Sequence, residues 1–173
     1  MKLRHPSQAK PSLVRLAMAG LAAGSLALPL AGQAATQTDD FTVSANVTAT
    51  CTITAADLSF GDYNPSSADM DSTSTISVQG TNGDGYNVGL NAGAFSGATV
   101  TTRRMTGTDA AGLSYALYSD STRTANWGDT APDTVSGTGN GSSQTLTVYG
   151  RIPAGQWVQS GAYSDTITAT ITY

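Results

Sequence analysis

A β-sandwich is the fold class that this 173-residue sequence predicts, and three observations predict it. Apolar residues recur with period two, the spacing that puts every second side chain on one face of a strand, and helical periodicity is nearly absent. The composition is that of an extracellular β-protein. Charged residues make up only 12%, there is no Glu, no Lys follows Lys10, and Thr, Ser, Gly, Asn and Asp fill the gap. Clusters of Gly, Asn, Asp and Ser punctuate the alternating runs at short intervals, as turns between short strands do.

The N-terminus comes first and is not part of the sandwich. Residues 1–15 are basic and carry no acid, and residues 16–31 are small and apolar. Gly32 and Ala34 then place small residues three positions and one position before a cut after Ala34. This order predicts a secretory signal peptide over residues 1–34. Its apolar run is shorter than the ~20 residues that cross a bilayer, so no membrane span is expected in the mature chain. Export permits disulfides, but Cys51 is the only cysteine. It is either an inert, buried thiol, the favoured reading, or a partner between molecules.

The mature chain opens on its longest alternation. Phe41, Val43, Ala45, Val47, Ala49, Cys51 and Ile53 alternate with polar residues, which is long for one strand and leaves room for two in succession. Residues 58–65 end in turn chemistry and residues 64–74 read as a polar loop. Residues 74–79 and 86–90 are strand-like and flank Thr81-Asn82-Gly83-Asp84-Gly85, which predicts a hairpin. Residues 99–105 and 113–118 are further strands, and residues 119–143 form a long polar stretch broken by Trp127. Residues 144–152 and 162–173 are the last two strands. In the final one Tyr163, Asp165, Ile167, Ala169, Ile171 and Tyr173 share one face, and Ser164 and four Thr share the other.

These two ends pose one physical problem. The first segment alternates like a strand, with residues 35–40 as a polar tether, and the final strand has no successor to cover its edge. One subunit's N-terminal segment can add to the next subunit's open edge, main-chain hydrogen bonds giving affinity and alternate side chains filling pockets. Donor and acceptor surfaces differ, so the contact is head-to-tail, and one that does not close makes a filament.

The ordered motifs resemble the spore coat protein U-like domain, the subunit type of archaic chaperone–usher pili. The carriers are Phe41-x-Val43-x-Ala45-x-Val47 ahead of Cys51, Leu58-Ser59-Phe60-Gly61-Asp62-Tyr63, and Ile76-Ser77-Val78. Next come Arg104-Met105, Leu113-Ser114-Tyr115-Ala116-Leu117-Tyr118 with Asp120, and Trp127-Gly128-Asp129. Val148-Tyr149-Gly150-Arg151-Ile152 and Gly161-x-Tyr163-x-Asp165 with Tyr173 close the set.

The resemblance implies an all-β, incomplete immunoglobulin-like β-sandwich over residues 48–173 that lacks its last strand and is completed by a donor strand. Residues 35–47 are then the donor segment, with Phe41, Val43, Ala45 and Val47 as donor residues. Tyr163, Ile167, Ala169, Ile171 and Tyr173 mark the strand that borders the acceptor groove and binds a periplasmic chaperone. Gly161, twelve residues before Tyr173, fits pilin C-terminal strands. The implied partners are neighbouring copies of the same or a related pilin, the chaperone and an outer-membrane usher. The route is through the periplasm to an extracellular fibre. One departure stands out. The family usually bridges the equivalent of Cys51 to a second Cys after the Ile-x-Val strand, and here that place is Gln79-Gly80-Thr81.

Other functions find little to build on. Beyond residue 34 four Arg face twelve Asp with no basic run, which makes a poor nucleic-acid binder. His5 is the only His and lies in the leader, so Ser-His and Cys-His pairs are impossible and no enzyme is expected. The Asp residues sit in turn contexts. Asp62, Asn64, Asp69 and Asp71, or Asp129 with Asp133, lack the spacing of a calcium loop, so no metal or other cofactor is expected. Trp127 and Trp157 are expected to pack, one at a loop base and one capping the sandwich, rather than to stack on sugars. Two functions remain: a polymerising fibre subunit, and a non-polymerising, self-complemented secreted coat or carbohydrate-binding module.

Overall fold

The structure, a computed structural model, describes residues 34–173. But for Ala34, the expected signal peptide lies outside the described residues. The chain divides into two units, Met1–Ser44 and Ala45–Tyr173. In the first, residues 34–44 carry no secondary structure and are exposed.

The second unit is built of strands, and among the described residues there is no helix. In chain order they are β1 (Cys51–Ala55), β2 (Met70–Gly80), β3 (Gly85–Leu90), β4 (Arg104–Gly107) and β5 (Leu113–Ser114). β6 (Ala116–Tyr118), β7 (Val135–Thr138), β8 (Gln144–Ile152), β9 (Tyr163–Ser164) and β10 (Ala169–Thr172) follow. All pairings are antiparallel: one sheet runs β1-β2-β8-β6, a second β10-β3-β7, and a small third β5-β4-β9.

Period-two patterning decides which faces meet. β2 alternates exposed Thr73 and Thr75 with buried Ser74, Ile76 and Val78, and its long ladder with β8 runs from Met70↔Ile152 to Val78↔Gln144. Ile76, Val78, Val148, Ile152 and Leu117 of the first sheet join Tyr86, Val88 and Leu90 of β3 in one core, closed by Leu113, Tyr115 and Trp127. Two sheets sharing one core make the fold a sandwich.

Several expectations are corrected. Residues 74–79 and 86–90 do not form a hairpin: β2 and β3 lie in different sheets. Residues 81–84 arch between them, latched where Gly83 N donates to Gly139 O (2.9 Å) and Gly139 N to Asp84 O (2.8 Å). The physical reason is that Ile76 and Val78 must face Tyr86, Val88 and Leu90 across the core, which partners in one sheet cannot do. The loop expected over 64–74 gives up residues 70–74 to β2, and the polar stretch 119–143 hides β7, whose VSGT offers a single apolar residue. Strand 113–118 breaks at Tyr115, whose N–H donates to Arg103 O (3.1 Å) as the chain changes partner from β4 to β8. Of the alternation over 41–53, only the part from Cys51 on enters a ladder.

Trp157 does not cap the sandwich; it is 76% exposed. Gln156 is bonded inward to Ser114 N and O (2.8 and 2.9 Å) and Val158 packs on the core, so the residue between them points outward. Cys51 is half-buried rather than buried, because β1 is an edge strand and the residue opposite it is Gly80, with no side chain to cover it.

Candidate functional site

The last strand determines the site. β10 is bonded on one side only, to β3, with Ala169↔Leu90 and Ile171↔Val88 in register. Just before it, Thr168 N donates to Asn91 Oδ1 (2.9 Å) and Thr168 O accepts from Asn91 N (3.1 Å). Backbone groups alternate sides along a strand. Thr168, Thr170 and Thr172 therefore serve the β3 side, and Ile167, Ala169 and Ile171 aim their N–H and C=O groups at the free side. Side chains alternate as well: the threonines are exposed, and Ile167, Ala169 and Ile171 are half-buried against the core. An open edge with an apolar face is a template for another strand.

Beside that edge runs a groove of about 960 Å³. Leu58 and Phe60, from the segment after β1, wall it on one side, and Tyr163, Ile167 and Ala169 on the other. Core residues such as Ile76 and Val148 form its floor. Its lining stops at Ala169, and beyond that point β1 lies beside β10. Leu58 and Phe60 sit tightly because Gly150 beneath them has no side chain: a Cβ there would come within 2.8 Å of Phe60 and 3.0 Å of Leu58.

Several polar groups in the groove are already engaged. Tyr115 meets Phe60 edge-to-face at 6.4 Å, and its hydroxyl donates to Asp165 Oδ2 (2.7 Å). Burial, and then the bond to Asp165, pushes the Tyr115 phenol far above its ordinary pKa, so it remains a donor. Asp165 Oδ1 accepts from Ala94 N (2.7 Å) and Thr166 N (2.8 Å). Gln156 N donates to the Tyr63 hydroxyl (3.0 Å), which itself donates to Pro153 O (2.9 Å). Among the described residues no Lys, Arg or His lines the groove, and no group of three acidic, His or Cys side chains is placed to hold a metal. The arrangement is suited to holding an extended chain with alternate apolar side chains.

The opposite flank keeps the groove in place. Arg103 is fully buried, and its guanidinium donates to four main-chain carbonyls: Asn91 O (2.8 Å), Val100 O (2.7 Å), Leu90 O (2.8 Å) and Trp127 O (2.7 Å). Burial draws its pKa down, opposed by Tyr115, Asp129 and Asp165. Trp127, also buried, donates Nε1–H to Val88 O (2.9 Å). Leu90, Asn91 and Val88 are the residues that β10 and Thr168 lie against, so this clamp fixes the rail on which the open edge rests.

The predicted site residues fall as follows. Tyr163, Ile167 and Ala169 line the groove; Ile171 packs on the core past its end, and Tyr173 is 58% exposed. Phe41, Val43 and Val47 are 87%, 82% and 82% exposed, and Ala45 is exposed too. Sequence reasoning missed Leu58, Phe60, Met105, Tyr115 and Val158 as groove residues. The alternation of Leu58 and Phe60 was a visible signal; the others owe their place to chain crossings that no local pattern marks.

A family model described as Spore Coat Protein U domain matches residues 37–170. The chain is 38% identical over 167 residues to Protein U of Myxococcus xanthus, covering 88% of this chain and 93% of that protein. Its fold is similar to a chain in the crystal structure of the CsuC–CsuE chaperone–tip adhesion subunit pre-assembly complex, from the archaic chaperone-usher Csu pili of Acinetobacter baumannii. There the TM-score is 0.52 and the identity 22%, over 73% of this chain and 40% of that one. This chain thus spans less than half the length of its structural neighbour.

Proposed function

Because the chain belongs to the Spore Coat Protein U domain family, we propose that it is a structural subunit of a secreted surface fibre. Copies polymerise head-to-tail by donor-strand exchange. Residues 35–47 of one copy enter the groove of the next, with Phe41, Val43, Ala45 and Val47 facing inward. A periplasmic chaperone holds the groove before assembly and an outer-membrane usher exchanges it for the donor. The sandwich domain is residues 48–173, and export past a cleaved leader at residues 1–34 brings it to the periplasm and then to the surface. The chaperone in the structural neighbour supports that partner.

One observation carries the reading: a free strand edge at Ile167 and Ala169 beside an open apolar groove. Each apolar side chain that moves from water into such a groove contributes ~1.5–3 kcal/mol, and the edge supplies the ladder. Exposed Phe41, Val43 and Val47 have that contribution to make.

The test uses the mature chain and a synthetic peptide of residues 35–47. Purified chain is expected to run as a ladder of multimers on unheated gels and to collapse to monomer on heating. Val43→Asp is expected to abolish the ladder and still leave a subunit that binds the wild-type peptide. A wild-type monomer that ignores the peptide would favour the self-complemented module.

A further inference from the structure

We propose that the free edge of β7 is a second interaction surface, on which two copies of this chain pair antiparallel about a two-fold axis at Gly137. The contact goes beyond the strand addition above and does not depend on it, because it joins copies side by side rather than head to tail.

The two main sheets have four edges, and three of them are occupied or already assigned. β10 borders the groove, and β1 lies beside β10. β6 is covered by the chain that follows it: Trp127 N donates to Leu117 O (2.9 Å) and Ser119 N to Ala125 O (3.0 Å). β7 is bonded to β3 on one side and, among the described residues, to no strand on the other.

Register shows which of its groups are free. β7 pairs with β3 from Gly85↔Thr138 to Val88↔Val135, and Gly139 N donates to Asp84 O (2.8 Å) in the same register. Main-chain groups alternate sides along a strand. Val135, Gly137 and Gly139 therefore turn theirs to β3, and Ser136 and Thr138 turn theirs outward. The side chains of Ser136 and Thr138 are exposed as well.

An open edge is ordinarily guarded by a charge, a proline or a bulge. Residues 134–150 carry no charged side chain and no proline, in a chain that sets twelve Asp against four Arg beyond residue 34. Two copies of the same negative charge repel where their acids meet. On this flank they approach with no acid on the pairing strand, so the occupant it fits is a second copy.

The edge is also complementary to itself. About Gly137, Ser136 of each copy faces Thr138 of the other, and both exchange main-chain bonds. Hydroxyl side chains directly opposite one another are favourable sheet pairs. At the axis the two Gly137 residues form the close, non-hydrogen-bonded kind of pair, with Cα atoms ~4.5 Å apart. No side chain stands between them, because the Tyr86 ring fills the place where a Cβ would go. An axis at Ser136 would bring Asp133 against the other copy's Gly139. An axis at Thr138 would set Ser136 against Asn140, which has turned away to accept from Ser142 N (2.9 Å). Only the axis at Gly137 pairs both free residues within β7.

A strand pair this short is smaller than a stable interface needs. Along a fibre the contact recurs in every copy, so weak pairings add and fibres bundle.

The experiment uses the mature chain with Cys51→Ala and with Val43→Asp, the substitution expected above to abolish strand addition, plus either Ser136→Cys or Thr138→Cys. Facing residues have Cα atoms ~5.5 Å apart, which a disulfide spans, whereas like positions lie on a diagonal of ~7–8 Å, beyond its reach. Oxidation of the two variants mixed at high concentration is expected to give the 136–138 dimer, and either variant alone little dimer. No dimer in the mixture, or a variant alone that dimerises as fully as the mixture, overturns the pairing. Fibres of the wild-type chain are expected to bundle in electron micrographs and those of Thr138→Asp to stay single. Fibres of both kinds that bundle alike overturn it too. If the wild-type chain forms no fibre, strand addition fails, and the disulfide result still decides the pairing.

Discussion

Around Trp127 the interior is finished: a buried indole, a buried guanidinium, and a main-chain partner for each of the Arg103 and Trp127 donor nitrogens engaged there. Beside β10 the same core is only half covered, with Ile167 and Ala169 partly exposed and their backbone groups aimed at open space. The difference shows how a sandwich can hold its shape with a wall missing. A strand normally gains rigidity from neighbours on both sides. Here β10 is hydrogen-bonded to one strand, β3, and β3 is fixed from behind by Arg103 and Trp127 rather than from in front. Directional bonds on one flank stand in for packing on the other.

Removing the clamp should therefore have the largest effect. Arg103→Met leaves four carbonyls without their donor, at ~1–3 kcal/mol for each buried group left unbonded. That is comparable with the ~5–15 kcal/mol that holds a typical domain together. The variant is expected to lose cooperative unfolding, seen as a flat near-ultraviolet circular dichroism signal. A variant with wild-type spectra and urea midpoint would mean that the clamp is dispensable.

A graded version compares the flanks directly. Trp127→Ala is expected to cost ~3–5 kcal/mol in urea unfolding, the range for a buried aromatic truncated in a core. Ile167→Ala should cost less in the isolated subunit, because Ile167 is only half-buried there. Adding saturating residue 35–47 peptide should widen the Ile167→Ala deficit and leave the Trp127→Ala deficit unchanged. Equal costs on both flanks, with or without peptide, would erase the distinction.

The two flanks were unequally legible in the sequence. The open one was visible in outline: alternation from Tyr163 to Tyr173 is a local, period-two signal, although the single strand expected over 162–173 is broken into β9 and β10, paired with β4 and β3; β8 was bounded correctly from the same signal. The clamp was invisible. Arg103 stands beside Arg104 in a polar run, and nothing local distinguishes the cation that will be fully buried from the neighbour whose guanidinium bonds the exposed-loop carbonyl of Ala111. Its burial depends on carbonyls from Leu90 to Trp127 converging, which is a property of the fold. The arch between β2 and β3 was misread for a related reason. A Gly-Asp turn between alternating runs looks the same whether the chain returns to its own sheet or crosses to the other.

A staple on β1 tests whether stability and groove function separate. Cys51 and Gly80 are paired, and Thr81 N bonds Thr50 O (2.9 Å), so Cys51 and Gly80 form the closer, non-hydrogen-bonded kind of pair, with Cα atoms ~4.5 Å apart. A Cβ at position 80 would lie 2.8 Å from Cys51 Sγ, near the ~3 Å that a disulfide's geometry implies. Gly80→Cys is expected to form the bridge on oxidation and raise stability by ~2–4 kcal/mol. Once reduced it should be less stable than wild type, since the thiol then crowds its neighbour. Peptide affinity should not change, because neither Cys51 nor Gly80 lines the groove. A free-thiol assay that still finds two thiols after oxidation would exclude the geometry.

The smallest effect is expected on the outer face of the β2–β8 ladder, where charge rather than packing is at stake. Arg151 donates to both oxygens of its cross-strand partner Asp71 (2.7 and 2.9 Å), and Arg123 Nε approaches the same carboxylate at 3.2 Å. The bond from Arg151 is the main reason that the Asp71 carboxyl sits below its ordinary pKa; desolvation opposes it, and the charges of Arg123 and Arg151 add to it. A carboxyl depressed in the folded state contributes stability that is present above its unfolded pKa of ~3.9 and lost as pH falls through the folded value. The pair is solvent-screened, with 37% of the Asp71 side chain exposed, so the contribution is held to ~0.2–1 kcal/mol. Asp71→Asn should lower the urea midpoint slightly at pH 7. The gap to wild type should narrow with added salt and as the pH is lowered below ~4, because the wild-type carboxylate is then itself neutralised. A loss at pH 7 as large as that of Trp127→Ala would mean that this surface bridge, and not the buried clamp, carries the sheet.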